Sequence, residues 1–181
     1  MTTGIGDCDW EVGLVETPEE RSAVFSIRLL VFVEEQHVPV EEELDAYDVT
    51  ATHFLVRARR AGDPHSGTIL GTARLIDKGK GIGKIGRVAV DAQYRGLGLG
   101  AALMQGIHRY ARARGFCRIE LEAQCHAIPF YEKLGYSAYG DIFLDANIEH
   151  RRMTLQLEPW CDPTAEAAPC NDRYRATEEI L

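Results

Sequence analysis

Apolar and polar positions recur along this chain with two periods, and the changes of period mark its elements. Over residues 118–125, Ile119, Leu121 and Ala123 alternate with Glu120, Glu122 and Gln124. That is the period of a strand with one covered face. Just upstream, Leu99, Leu103, Ile107, Tyr110 and Ala111 share one face of a 3.6-residue period, and Gln105, His108, Arg109 and Arg112 take the other. The pattern predicts a helix, and Gly115 stands where a C-cap glycine belongs. Further upstream, Ile85-Gly86-Arg87-Val88-Ala89-Val90 reads as a buried strand. Strand, helix and strand in this order imply a parallel pair with a right-handed crossover.

The rest of the chain yields to the same reading. Residues 10–15 are a short β-prone run. Thr17-Pro18-Glu19-Glu20 is a helix start: Thr17 caps, Pro18 fits the first position, and Glu20 completes a capping box. The helix is expected to run to residue 35, with Val24, Ile27, Leu30 and Val31 on its buried side. Arg28, inside that stretch, is either a snorkelling side chain or a binding residue. Residues 36–48 are irregular and acidic, with Glu41, Glu42, Glu43, Asp45 and Asp48. They form either a solvated loop or a wall that attracts a cationic amine. Residues 53–60 and 68–76 are β-rich and joined by turn formers. Residues 126–134 predict a short helix, with Pro129 near its start and Gly135 as its stop. Two further strands, 136–144 and 149–157, meet at Asp145-Ala146-Asn147-Ile148. Residues 1–9 and 159–181 are read as extensions of a domain spanning 10–158. The second extension is broken by Pro159, Pro163 and Pro169 and ends in a stretch, 173–181, that could form one helix.

Chemistry enters between the central strand and its helix, at Arg95-Gly96-Leu97-Gly98-Leu99-Gly100. Glycines let the backbone approach a ligand closely and adopt positive φ. The first amides of the helix have no intrahelical partner, and the helix dipole adds positive charge there. Arg95 adds a formal charge beside them. The stretch is a candidate cradle for phosphate or pyrophosphate. Its spacing is not that of the dinucleotide fingerprint, and no Lys-Ser or Lys-Thr follows as in a P-loop.

Composition narrows the partners. The chain has 181 residues, 45% of them apolar and 27% charged, as in one ordinary globular domain with a real core. Its net charge of −8 argues against nucleic acid or an anionic membrane as the main partner. No apolar run approaches the roughly 18 residues of a membrane span, and the N-terminus does not read as a signal peptide. The five cysteines are odd in number and lack a C-x-x-C pair. Neither a disulfide framework nor a metal site is expected, and a cytoplasmic location fits.

The spacing Arg95-x-x-Gly98-x-Gly100 resembles the acetyl-CoA pyrophosphate loop of the GNAT N-acetyltransferase superfamily. Pro129-Phe130-Tyr131-Glu132-Lys133-Leu134-Gly135-Tyr136 resembles its second signature. The match is closer to the ElaA-like bacterial group, through Ala123, Gln124, His126, Phe130, Tyr131, Gly135 and Tyr136, and through Val31-Phe32-Val33-Glu34-Glu35-Gln36 followed by Pro39, Glu42 and Asp48. Ile148, His150 and Met153 in the last hairpin match as well. That group has Asp-Gly before the Ile, whereas this chain has Ala146-Asn147.

The resemblance covers residues 10–158 and implies an α/β (α+β) fold: a mixed central sheet of about six to seven strands flanked by helices, its central parallel strands splayed. It implies acetyl-CoA as co-substrate, an amine acceptor, and direct attack without a cysteine nucleophile. Val88, Ala89 and Val90 would hold the pantetheine arm and polarise the thioester carbonyl. Arg95, Gly96, Leu97, Gly98, Leu99 and Gly100 would hold the pyrophosphate. Tyr131 resembles the tyrosine that donates to the departing sulfur, with Glu122 and His126 as candidate bases. A homodimer is a further expectation. Two other readings stay open: a CoA-binding sensor or regulatory module without turnover, and an acyltransferase for longer chains.

Overall fold

The structure, a computed structural model, describes residues 10–59 and 66–157. Seven strands form one mixed sheet flanked by helices, in the order β1-β2-β3-β4-β5-β7-β6. They are β1 (Trp10–Leu14), β2 (Thr52–Ala58), β3 (Ile69–Asp77), β4 (Ile82–Val90), β5 (Arg118–Gln124), β6 (Ser137–Asp145) and β7 (Ile148–Gln156). The helices are α1 (Pro18–Arg28), α2 (Val40–Glu43), α3 (Leu99–Ala113) and α4 (Ile128–Lys133). The expected parallel pair is β4 with β5, in register from Ile82↔Arg118 to Lys84↔Glu120, while β4 itself runs on to Val90. The two chain extensions and the connection at 60–65 lie outside the described residues.

The chain divides into two compact units. The described residues of the first are 10–59, 66–74 and 87–106. Its α1 starts as its sequence dictates: Thr17 accepts from the Glu20 amide at 3.1 Å, and Glu20 accepts from the Thr17 amide at 3.3 Å. Glu20 also pairs with Arg57 of β2 at 2.8 Å. The expected single helix to residue 35 is corrected: regular α geometry ends at Arg28, and Leu29–Glu35 is π-helical. Val24, Ile27, Arg28 and Val31 are its buried residues, an i, i+3, i+4, i+7 stripe. Leu30 falls off the stripe and is 36% exposed. Ile27 and Val31 pack with Ala89 of β4, alongside Phe32 and Ile69.

The described residues of the second unit are 75–86 and 107–157. Its core includes Ile85, Ile107, Ala111, Ile119, Leu121, Ala123 and Met153. Helix α3 closes with the Phe116 amide on the Ala111 carbonyl at 2.9 Å and the Gly115 amide on that of Arg112 at 3.1 Å. That bond pair is the Schellman stop that Gly115 predicts. One reading of α3 is corrected: His108 is 6% exposed and does not lie on a solvated face. The last hairpin turns through Ala146 (φ 45°) and Asn147 (φ 61°), both left-handed as a type I′ turn requires. Cysteine is a further correction: Cys117 is disulfide-bonded, while Cys125 is free.

Candidate functional site

The candidate phosphate cradle lies in the first unit. After β4, Asp91 caps a short 3₁₀ turn by accepting from the Gln93 amide at 3.0 Å. Gly96 and Gly98 are left-handed, at φ 80° and 86°. Nothing stands within 4 Å of where a Gly96 Cβ would sit, so the backbone conformation rather than crowding calls for glycine there. The first bond of α3 runs from the Ala102 amide to the Gly98 carbonyl at 3.0 Å. The amides of Leu99, Gly100 and Ala101 therefore precede the helical ladder, at the positive end of a 15-residue helix. Arg95 lies beside them. Its Nε donates to the Val90 carbonyl at 3.0 Å and its Nη2 pairs with Glu35 at 2.7 Å. Leu97 is exposed at the tip of the turn. On β4, Ala89 turns into the core, so strand alternation leaves Val88 and Val90 on the opposite face. The structure thus brings the loop and strand candidates together in one unit.

The acidic segment is not a simple solvated loop: its Glu43 and Asp48 are buried, while Glu41 and Glu42 are exposed. Arg28 is 1% exposed and reaches into it: Nε donates to Glu43 Oε1 at 2.5 Å, and Nη1 and Nη2 to Asp48 at 2.6 and 3.0 Å. Arg74 binds Asp45 at 2.8 and 2.5 Å and Asp48 at 2.7 Å. Burial works against the Asp48 charge, yet the guanidiniums of Arg28 and Arg74 hold its carboxyl well below the usual range. Burial pushes the Glu43 carboxyl up, with Arg28 and Arg87 opposing. His53 Nε2 lies 3.0 Å from the Asp48 carbonyl, and burial pushes the imidazole toward its neutral form. Snorkelling is therefore excluded for Arg28.

The three catalytic candidates lie in the second unit. Tyr131 stands on α4, which ends in another Schellman pair: the Tyr136 amide on the Tyr131 carbonyl at 3.1 Å and the Gly135 amide on that of Glu132 at 2.9 Å. Gly135 supplies the left-handed residue, at φ 93°. That motif brings the rings of Tyr131 and Tyr136 edge to face, 5.8 Å apart. Phe130 packs on Tyr131 at 4.9 Å. Tyr136 is fixed in turn by His108, whose Nε2 is 2.7 Å from its hydroxyl. Burial, helped by the charge of Arg112, pushes His108 down to about 4, so it is neutral at pH 7. Burial pushes the Tyr131 phenol up to about 12. Glu122 is bound by Lys84 at 2.7 Å and approached by Arg152 at 4.0 Å. His126 is exposed on a 3₁₀ turn leading into α4.

Sequence reasoning missed His108 and the partners of Arg28. A signal was present for the second: Arg28, Arg74 and Arg87 each stand inside an apolar run, and a buried guanidinium requires a carboxylate. Glu43-x-Asp45-x-x-Asp48 is one dense supply, but the sequence has others, such as Glu16, Glu19 and Glu20, and does not choose among them.

Comparison with known proteins places this arrangement. Residues 21–136 match the Acetyltransferase (GNAT) family. A Bacillus subtilis (strain 168) protein, the uncharacterized N-acetyltransferase YjcF, is 34% identical over 141 residues, covering 77% of this chain and 95% of that one. An acyl-CoA N-acyltransferase structure from Pseudomonas aeruginosa is 31% identical, with a TM-score of 0.66 over 81% of this chain and 97% of its own. Escherichia coli ElaA shares the fold, with a TM-score of 0.68 at 23% identity over 80% of this chain and 97% of its own.

Proposed function

We propose that this chain, which belongs to the Acetyltransferase (GNAT) family, moves an acetyl group from acetyl-CoA to a primary amine of a small molecule or peptide by direct attack. The observation that carries the reading is the turn before α3. Two left-handed glycines present the free amides of a 15-residue helix, with a guanidinium alongside. A pyrophosphate matches that donor set: several N–H groups, a helix dipole and one formal charge. Main-chain groups of Val88 and Val90 hold the pantetheine arm and polarise the thioester carbonyl.

The amine nitrogen forms a C–N bond with that carbonyl carbon, the C–S bond breaks, and the CoA thiolate departs. The amine loses one proton and the thiolate gains one. Tyr131 serves the departing sulfur. Its phenol, pushed up to about 12, stays protonated at any working pH. A free thiol titrates near ~8.5, so full proton transfer from this phenol is unfavourable. Its contribution is a hydrogen bond to the sulfur as negative charge builds. His126 accepts the amine proton, directly or through water. Glu122 is the weaker candidate, because Lys84 and Arg152 already occupy its carboxylate. No acyl-enzyme is required, so the free Cys125 is a bystander.

Calorimetry with acetyl-CoA, followed by thiol release against a panel of amines and peptides, tests the reading. Binding without turnover on every amine would replace it with the sensor reading. Faster transfer from a longer acyl-CoA would make the chain a longer-chain acyltransferase.

A further inference from the structure

Arg87 has a backbone conformation that a strand interior does not favour. It lies within β4 and has φ 54°, in the left-handed region. A non-glycine residue stays there only where its surroundings over-determine it. Here the surroundings are its own guanidinium contacts. Nη2 donates to the Glu42 carbonyl at 2.7 Å, and Nε to the Glu43 carbonyl at 3.1 Å. Nε also pairs with Glu43 Oε2 at 2.7 Å, and Nη2 with Asp45 Oδ2 at 3.3 Å.

These contacts close a ring. Arg28 binds Glu43, Glu43 binds Arg87, Arg87 binds Asp45, Asp45 binds Arg74, Arg74 binds Asp48, and Asp48 returns to Arg28. Three cations and three anions alternate, all within the first unit. Each guanidinium touches two carboxylates, so no member can shift without disturbing both neighbours. Arg87 is the member that continues directly into Val88.

We infer that Arg87 is a positioning residue for acyl transfer: the charge ring holds its left-handed backbone and so sets the orientation of the Val88 peptide on β4. The inference rests on the reading above, in which Val88 main chain serves the thioester. The ring lies upstream of the 95–100 turn and leaves that donor set intact. Because Val88 is only one of several groups on the co-substrate, loss of the ring contact should lower kcat more than it weakens acetyl-CoA binding.

The test compares the full-length parent with Arg87→Gly, Arg87→Lys and Asp45→Asn. Glycine accepts the backbone conformation but cannot reach the ring. Lysine keeps the charge but lacks the fork that serves two carboxylates and two carbonyls. Asp45→Asn weakens the ring with Arg87 in place, and covers the case in which Arg87→Gly does not fold. The expected result for Arg87→Gly is a fall in kcat of about 10- to 100-fold, with KM for acetyl-CoA within about twofold of the parent. Arg87→Lys should recover part of the loss, and Asp45→Asn should show a smaller one. The Val88 amide, followed by hydrogen exchange, should exchange faster in each variant. Parental kcat and parental Val88 exchange together would overturn the inference. So would a fall in kcat matched by an equal loss of acetyl-CoA affinity, since the ring would then support binding rather than orientation. A parent that neither binds acetyl-CoA nor transfers acetyl would instead sink the acetyltransferase reading, and the exchange measurement would still decide whether the ring fixes Val88.

Discussion

Replacing Arg28 with methionine should destabilise the protein by about 3–4 kcal/mol at pH 7. Methionine keeps an unbranched stem in place of the arginine's inner atoms and removes four hydrogen bonds, to Glu43 Oε1, the Glu43 carbonyl and both oxygens of Asp48. The balanced ring becomes net negative, at a site where Arg28 and Glu43 are each 1% exposed. Removing one partner of a buried pair typically costs about 3–5 kcal/mol. The lower part applies, because Glu43 retains Arg87 at 2.7 Å and Asp48 retains Arg74 at 2.7 Å. For a chain of this size that loss corresponds to a fall in Tm of roughly 6–15 °C.

The pH dependence separates lost charge from lost packing. The folded Asp48 carboxyl lies below its unfolded value. Its contribution to stability is therefore fully present above about pH 4 and is lost as pH falls toward the folded value. Glu43, raised on folding, runs the other way, with a contribution present below its unfolded value and lost as pH rises through the folded one. Without Arg28, Asp48 loses much of its depression and Glu43 rises further. The penalty should therefore shrink on acidification, first through the raised Glu43 range and then, below about pH 4, as Asp48 takes up a proton. Thermal melts by circular dichroism from pH 3.5 to 8 measure both quantities. A parental Tm at pH 7 would refute the reasoning. A penalty unchanged between pH 8 and pH 3.5 would leave packing, not charge, as its source.

Three further substitutions have defined outcomes. Gly98→Val puts a β-branched residue at φ 86° and should lower acetyl-CoA affinity at least about tenfold by calorimetry while the fold survives; undiminished binding would remove the cradle assignment. Tyr131→Phe should lower kcat by about tenfold to a thousandfold, at the lower part of that range, with little change in acetyl-CoA binding; because burial pushes the phenol up to about 12, no alkaline limb in the accessible pH–rate profile should belong to it, and a parental kcat would reduce Tyr131 to packing. Ala146→Asn should raise stability by about 0.5–1 kcal/mol in urea unfolding, since Ala146 has φ 45° and asparagine tolerates the left-handed region; an unchanged midpoint would mean that the turn carries no strain.

What the sequence disclosed were features governed by neighbours a few residues away. The Thr17–Glu20 capping box, the Schellman stops at Gly115 and Gly135, and the alternation of β5 are local, and each appears where its pattern places it. The turn geometry of the candidate phosphate cradle was legible for the same reason, since it needs only glycines, a helix start and one arginine in series. The final turn shows the limit of that rule. Ala146-Asn147 lacks the Asp-Gly that announces a type I′ turn, yet pairing from Asp145↔Ile148 onward imposes it.

Long-range partners were not legible. A stripe at positions 24, 27, 28 and 31 is plain in the sequence, but an arginine on a stripe normally carries its charge out to water. Arg28 stays inside because Glu43 and Asp48, 15 and 20 residues away, come to it. His108 is the same problem in neutral form: it counts as polar in a helical period, and only Tyr136, 28 residues on, makes it a core residue. The acidic segment misled most, because its charge was counted rather than paired. Five acidic side chains, those of Glu41, Glu42, Glu43, Asp45 and Asp48, stand within eight residues, and that density invites a cation-attracting surface. Yet Glu43 and Asp45 belong to the ring with Asp48, and Glu35 pairs with Arg95. Much of this charge is therefore spent within the protein. The field that the proposed amine acceptor would meet is set by the exposed remainder, chiefly Glu34, Glu41 and Glu42. By the same accounting, a net charge of −8 does not oppose a polyanionic co-substrate, since the turn before α3 offers local main-chain donors at separations where the distant surface charges are screened.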